Sequence, residues 1–394
     1  MKKLYILLIG IVAALSMGNA AGTVITDSFY SEALGTTRSM RVYLPEGYDT
    51  SGIDYPVVYF FHGGGTNHMG YAYIYGLLDT LIGNGHIDPI IVVKPDASGG
   101  PYYGSWYTNS ALWGDYEDYL VYDLIAHVDT AYRVISSRIA RSVMGHSMGG
   151  YGALKIAFKH PDVYRAVVGH SGLVDHDVLL QYYVPQILAE CGGYPPYTYN
   201  PNYGVFSGVA FTMSGAFSPD TTDPPYYVDF ILDSMGNVDS AVYDLWRVHD
   251  IPVLATQLVD DSLAIYFDCG MSDEYYAYQM HEALAESLIA LGIPHQWHPY
   301  TGNHSNQMTT RIPLAFAFLD SLMNTGIKEF GKPIPLEEVN IGASIFRGPL
   351  VLPAGVEYQV FDIAGREVDA SRMSPGIYFI ASKGRLAQKV IKIE

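Results

Sequence analysis

The segment "VMGHSMGGYGAL" (residues 143–154) constrains this chain more than any other. An apolar run enters it, a helix-forming run leaves it, and between them stand Gly145, Ser147, Gly149 and Gly150. A plain turn needs one or two glycines. Glycine two residues before and two residues after a serine is what a strained strand-to-helix turn requires, because side chains at those positions would block its packing. Such a turn, G-x-S-x-G, presents the Ser147 hydroxyl at a helix N-terminus, where partial positive charge favours a developing oxyanion. Gly150 is assigned instead to close packing of the helix.

The flanking sequence supports that setting. Short apolar runs at 41–45, 55–61, 89–95, 140–145 and 165–170 read as strands. "VVYFF" and "IIVV" are apolar at every position, as expected of parallel strands covered on both faces. Residues 115–132 read as an amphipathic helix with its acids in the first turn, and the segment after Gly149 as a helix stopped by Pro161. The rhythm breaks over 172–250, which is dense in Tyr, Pro and Gly and reads as an insertion forming a lid or pocket wall, with helical pieces at 177–190 and 226–235. It resumes as strand 263–270, helix 274–292, strand 295–300 and helix 307–324. The expectation is an α/β fold with a mostly parallel central sheet and helices on both faces.

A serine nucleophile needs a base, and the base an orienting acid. In sheets of this kind they follow on loops after later strands. Asp273, in "CGMSDEY", and His304, in "TGNHSNQ", stand just past the strands 263–270 and 295–300. Asp268 is nearer the strand and reads as structural, while Glu274 is a neighbouring candidate. His298 falls inside a strand, and His281 falls mid-helix and reads as solvated. Backbone N–H groups of Gly64, in "FFHGGGTNH", and of Met148 are the expected oxyanion donors, with Gly65 the near alternative to Gly64. The set calls for no cofactor. No CxxC pair or Cys/His cluster has the spacing to hold a metal.

The formal net charge is −18 and the only basic run is Lys2-Lys3, which excludes nucleic acid as an expected partner. Residues 1–20 have the make-up of a secretory signal peptide: two lysines, an apolar core from Leu4 to Leu15, and Gly18 and Ala20 before a cleavage site. No later segment is long enough to enter a membrane as a helix. Cys191 and Cys269, the only cysteines, are compatible with one disulfide or with two buried thiols.

With these residues in hand, residues 24–325 resemble the esterase D-like family of α/β-hydrolases, which includes feruloyl and acetylxylan esterases, S-formylglutathione hydrolases and mycolyltransferases. The resemblance rests on "YFFHGGG", "SWYTNS", "GHSMGGYGALKIAFKHPDVYRAVVGHSG", "YFDCGMSDEY" and "TGNHS". It implies Ser147 as nucleophile, Asp273 as acid, His304 as base, and the amides of Gly64 and Met148 as the oxyanion hole. The family base is often followed by Ser-Trp, whereas Asn306 follows His304-Ser305 here. Trp106 and Tyr107 are candidates to stack on a sugar or phenolic ring. The C-terminal residues, with "DIAGR", "PGIYF" and "QKVIKI", resemble the sorting domain of type IX secretion substrates, which implies export from a Gram-negative bacterium by that machinery.

The expected organisation is a signal peptide (1–20), an α/β-hydrolase domain (21–326), a linker (327–338) and a small β-sandwich sorting domain (339–394). The expected function is a secreted serine carboxylesterase acting on small-molecule or polysaccharide esters, feruloyl or acetyl. Two alternatives use the same scaffold: an acyltransferase with a sugar hydroxyl as acceptor, and a carbohydrate-binding protein without catalysis.

Overall fold

Strands apolar on both faces must be covered on both sides, and the sheet shows how. The computed structural model describes residues 21–100, 104–191, 204–258 and 263–323, and in the C-terminal part 344–347, 358–362, 368–369, 373–374, 376–382 and 385–393. The segments expected as signal peptide (1–20) and linker (327–338) lie outside these residues. The chain divides into two compact units, the first ending at Thr325 and the second beginning at Gly326.

In the first unit the strands are β1 (Thr23–Ser31), β2 (Thr36–Leu44), β3 (Val57–Phe61), β4 (Ile91–Pro95), β5 (Asn109–Ser110), β6 (Gly114–Asp115), β7 (Arg141–His146), β8 (Ala166–His170), β9 (Ala264–Gly270) and β10 (His295–Tyr300). Eight of them form one sheet in the order β1-β2-β4-β3-β7-β8-β9-β10, while β5 and β6 pair as a separate two-residue ladder. β1 and β2 are antiparallel to their neighbours, and from β4 to β10 every pairing is parallel.

Successive residues of the buried strands alternate between two apolar layers. Val57, Tyr59, Phe61 and Val143 join the layer that holds Leu154 and Ile156 of the helix Met148–Lys159. Val58, Phe60 and Met144 join the other layer, against Leu78 of the helix Ile74–Gly83 and Phe316 of the helix Met308–Met323.

Three expectations are corrected. Residues 226–235 are not helical: Asp233 Oδ1 accepts from the amides of Met235 and Asn237 and turns the chain back, with Leu232 bridged to Val238. The helices of this region are instead His176–Glu190, Val205–Phe217 and Ser240–Arg247. Val205–Phe217 is rich in Gly, Ser and Thr, poor helix formers, but it is buried on almost every side, and packing overrides propensity. Within 115–132 the helix is interrupted by a π-helical turn over Tyr119–Asp123, and Glu117 points inward to Lys155 rather than to solvent. His281 is fully buried, not solvated. On the helix Ala277–Ala290 its ring packs against Phe267 and Trp297, and its Nδ1 lies 2.8 Å from the Ala277 carbonyl oxygen.

Cys191 and Cys269 are free thiols. In the second unit β11 (Ser344–Arg347), β12 (Tyr358–Asp362), β13 (Gly376–Ser382) and β14 (Arg385–Ile393) form one sheet in the order β11-β14-β13-β12. β13 and β14 are a hairpin. The second layer of a sandwich is not among the described residues.

Candidate active site

The C-terminal ends of the parallel strands define one edge of the sheet, and the predicted site residues gather there. Ser147 follows β7 and precedes the helix Met148–Lys159 with φ 59° and ψ −125°, a conformation that residues with side chains avoid. The turn packs so tightly that a Cβ on Gly145 would lie 2.2 Å from the Gly149 carbonyl oxygen, and one on Gly149 2.1 Å from that of Phe61. On Gly150 it would lie 2.4 Å from the His170 carbonyl oxygen, so this glycine lets the helix approach β8. The Ser147 amide is itself held by His170 O at 2.8 Å.

Asp273 lies on the turn after β9, and His304 on the loop after β10. The two loops touch because Gly270 has no side chain: a Cβ there would meet the Gly302 carbonyl oxygen at 2.5 Å. His304 Nδ1 lies 2.8 Å from Asp273 Oδ2. Oδ1 of the same carboxylate accepts the Tyr275 amide at 2.9 Å, and the Cys269 thiol donates to Oδ2 at 3.3 Å. Burial opposes ionisation of Asp273, but these donors and the adjacent imidazole outweigh it and hold its carboxyl below the usual range. Burial keeps the Cys269 thiol protonated by pushing its pKa well up.

Neither rival acid takes this place. Asp268, on β9, pairs with its register neighbour His170 at 2.7 Å and with Arg311 at 2.9 Å, away from His304. Glu274 instead holds the His304 backbone, its carboxylate accepting the His304 amide at 3.0 Å. His298 stacks on Tyr266 and is no part of the cluster.

Ser147, Met148, Gly64 and His304 all border one cavity of about 510 Å³. Gly64 belongs to a peptide whose carbonyl end is tied down. His62 Nε2 accepts the Ala97 amide at 3.0 Å, so the ring proton sits on Nδ1, which donates to Gly63 O at 2.9 Å. In a trans peptide the Gly64 N–H points opposite to that carbonyl, so its direction is fixed too. Burial lowers the His62 pKa to about 4 and keeps this pattern at neutral pH. Gly65, at φ 70°, does not border the cavity.

The two aromatic candidates separate. Trp106 borders the cavity and packs edge-on against Tyr151 at 5.4 Å. Tyr107 does not: it is fully buried, stacks on Phe61 at 4.5 Å, and donates its hydroxyl to His62 O at 2.6 Å. Adjacent residues in this turn point opposite ways, so only one of the pair reaches the cavity. The insertion supplies part of the remaining wall, with Leu173, Val205, Val209 and Thr212. Sequence reasoning missed Tyr71, His146 and Cys269, whose partners are remote in the chain or carry no motif.

Residues 31–308 match the family described as "Putative esterase". The chain belongs to the Esterase family. Among curated members, this Esterase-family chain is 37% identical over 149 residues to Esterase Rv1288 of Mycobacterium tuberculosis, covering 36% of this chain and 31% of that protein. It is 30% identical over 169 residues to the Endo-1,4-beta-xylanase/feruloyl esterase of Xylanibacter ruminicola, covering 39% of this chain and 21% of that one. The alignments thus span about a third or less of the length of these relatives. Among solved structures, the fold resembles a ferulic acid esterase (TM-score 0.53, 20% identity, 77% of this chain and 99% of that one). It also resembles FphF, a fluorophosphonate-binding serine hydrolase of Staphylococcus aureus (TM-score 0.55, 20% identity, 76% and 99%). The α/β-hydrolase fold expected from the sequence is therefore the observed one.

Proposed function

We propose that this protein is a serine carboxylesterase in which Ser147, His304 and Asp273 form a catalytic triad. The observation that carries the reading is the 2.8 Å bond from His304 to a buried Asp273 beside a cavity that Ser147 and His304 share. Asp273 holds the proton on Nδ1 of His304, leaving Nε2 free to take the Ser147 proton. The hydroxyl oxygen attacks the ester carbonyl, and the amides of Gly64 and Met148 stabilise the tetrahedral oxyanion. The His304 imidazolium then protonates the departing alcohol. Water, activated by the same imidazole, releases the acid and frees Ser147.

The substrates we propose are feruloyl or acetyl esters of plant polysaccharides. The relatives named as feruloyl esterases support this, as do Trp106 and the apolar wall of Leu173, Val205 and Val209. Among the described residues that border the cavity, none is Lys, Arg, Asp or Glu, which favours an uncharged acyl group. We further propose a signal peptide at 1–20, a linker at 327–338 and a type IX sorting domain at 339–394, giving a secreted protein of a Gram-negative bacterium.

The test is a hydrolysis screen of acetyl, feruloyl and longer-chain esters, with Ser147→Ala as control. Ester cleavage that survives Ser147→Ala, or no cleavage at all, sinks the esterase reading. A transferred acyl group on an added sugar would redirect it to acyltransfer.

A further inference from the structure

Tyr71 and His146 border the cavity and have no part in the mechanism above. His146 occupies the variable position of the G-x-S-x-G turn, directly before the nucleophile. Its ring is buried, 4.9 Å from the His304 ring. His146 Nε2 lies 2.8 Å from the main-chain carbonyl oxygen of His304, and Nδ1 lies 2.7 Å from the Tyr71 hydroxyl. A carbonyl can only accept, so Nε2 carries the proton and Nδ1 accepts from Tyr71. Tyr71 stands at φ 57°, an unusual backbone for an aromatic residue.

The consequence concerns the loop at 301–307, which carries His304 and has no helix or strand of its own. Both polar groups of the His304 main chain are held. Glu274 accepts its N–H at 3.0 Å, and His146 donates to its C=O at 2.8 Å. We propose that Tyr71 and His146 are positioning residues that tie the loop of the base to the turn of the nucleophile. Tyr71 selects the tautomer of His146, and His146, bonded covalently to Ser147, fixes the distance between the two catalytic elements. This rests on the triad reading. A base must lie within hydrogen-bond reach of its proton, and a displacement of about 1 Å costs on the order of 100-fold in rate. Burial lowers the His146 pKa to about 3, so its ring remains a neutral donor–acceptor at neutral pH.

The experiment uses the full chain and p-nitrophenyl acetate, comparing His146→Phe, His146→Gln, Tyr71→Phe and Ser147→Ala. Phe keeps the ring shape and removes the donor, whereas Gln loses the shape and keeps a donor at the position of Nε2. His146→Phe should lower kcat by about 10–100-fold with KM changed by less than about twofold. His146→Gln should recover most of that loss, and Tyr71→Phe should lower kcat by about 3–10-fold. A residue that only packs would give the reverse order, Phe better than Gln.

The second readout is the downfield proton resonance of the His304–Asp273 hydrogen bond, which needs no turnover. It should persist in His146→Gln and be lost or shifted in His146→Phe. An unchanged kcat and resonance in His146→Phe, with Ser147→Ala inactive, overturns the relay and leaves the triad standing. Activity retained by Ser147→Ala overturns the triad instead, and the resonance then decides the relay alone. If His146→Phe does not fold, unchanged kcat and resonance in Tyr71→Phe overturn the proposal.

Discussion

The ammonium of Lys155, wholly buried, lies 2.9 Å from the carboxylate of Glu117, itself almost fully buried. Lys155 also donates to Tyr107 O at 3.0 Å and to Thr108 Oγ1 at 2.8 Å. It therefore clamps a turn in which Trp106 and Tyr107 have φ of 51° and 54°. That turn delivers Trp106 to the cavity.

Removing one partner of a buried pair strands the other charge, at a cost of about 3–5 kcal/mol. Lys155→Met leaves Glu117 its contacts to Lys159 and His160, so it should lower stability by less than that in denaturant titration and raise KM for aromatic esters more than for acetyl esters. Burial opposes ionisation of Glu117, but Lys155, His160 and Lys159 outweigh it and hold its carboxyl well below the usual range. A carboxyl depressed in the folded state stabilises above its unfolded pKa, and that contribution fades as pH falls toward the folded value. Thermal melting should accordingly drop below about pH 4, the unfolded carboxylate range, and Glu117→Gln should reduce the slope of the drop.

The two neighbouring aspartates should separate kinetics from stability. Asp273→Asn is expected to lower kcat by roughly 10³–10⁴-fold, because an amide no longer holds the proton on Nδ1 of His304. Asp268→Asn, which weakens the contacts to His170 and Arg311, should lower the melting temperature while keeping kcat within about tenfold. Steady-state kinetics with melting curves for both variants checks the division.

The turn at Ser147 should tolerate no side chain at Gly149. A Cβ 2.1 Å from the Phe61 carbonyl oxygen collides with β3 backbone, so Gly149→Ala should cost at least about 3 kcal/mol. Soluble yield and melting temperature report it.

A pH effect of opposite sign is expected near the insertion. Burial, with neighbouring carboxylates adding, pushes Asp250 up to about 7 and Asp175 up to about 6. A carboxyl with a raised folded pKa stabilises fully below its unfolded pKa, and that stability is lost as pH rises through the folded value. Melting temperature should therefore fall between about pH 4 and pH 7. Asp250→Asn keeps an acceptor for the His176 amide, now bonded at 2.9 Å, and should flatten that fall, raising the pH 8 value by about 2–4 °C.

The wall of the cavity should set the acyl group. Val209→Trp fills part of the cavity and should cut kcat/KM for feruloyl esters at least about tenfold while sparing acetyl esters. Equal losses on both would mean that the wall does not select the acyl group.

Much of this was legible in the residues because each proposed catalytic residue stands just past a strand, and the strands before Ser147 and Asp273 are apolar and buried. The glycines around Ser147 announce a turn that only glycine fits, and Asp273 follows a strand whose buried run is plain, whereas His304 follows the half-exposed strand β10 and is marked by its Gly- and Asn-rich loop. The helix Val205–Phe217 was not legible, since its composition argues against helix and only its packing forms it. Glu117 reads from the sequence as one of the acids in the first turn of a helix; its partners lie 38 and more residues away. Trp106 and Tyr107 are adjacent and chemically alike, so nothing local tells which one meets the cavity.

By itself the sequence determined the strained turn, the parallel strands and the loops on which acid and base are carried, because these follow from local sterics and from the periodicity of burial. The sequence favoured Asp273 over Asp268, and the tertiary structure supplied the contact that pairs it with His304. Asp268 sits within β9, where its side chain is directed at its register partner on β8, while Asp273 lies beyond the strand on a turn that folds over to the loop after β10. The tertiary structure alone decided that His146 reaches His304, 158 residues away, because that contact exists only when two strand ends stand on the same edge of one sheet.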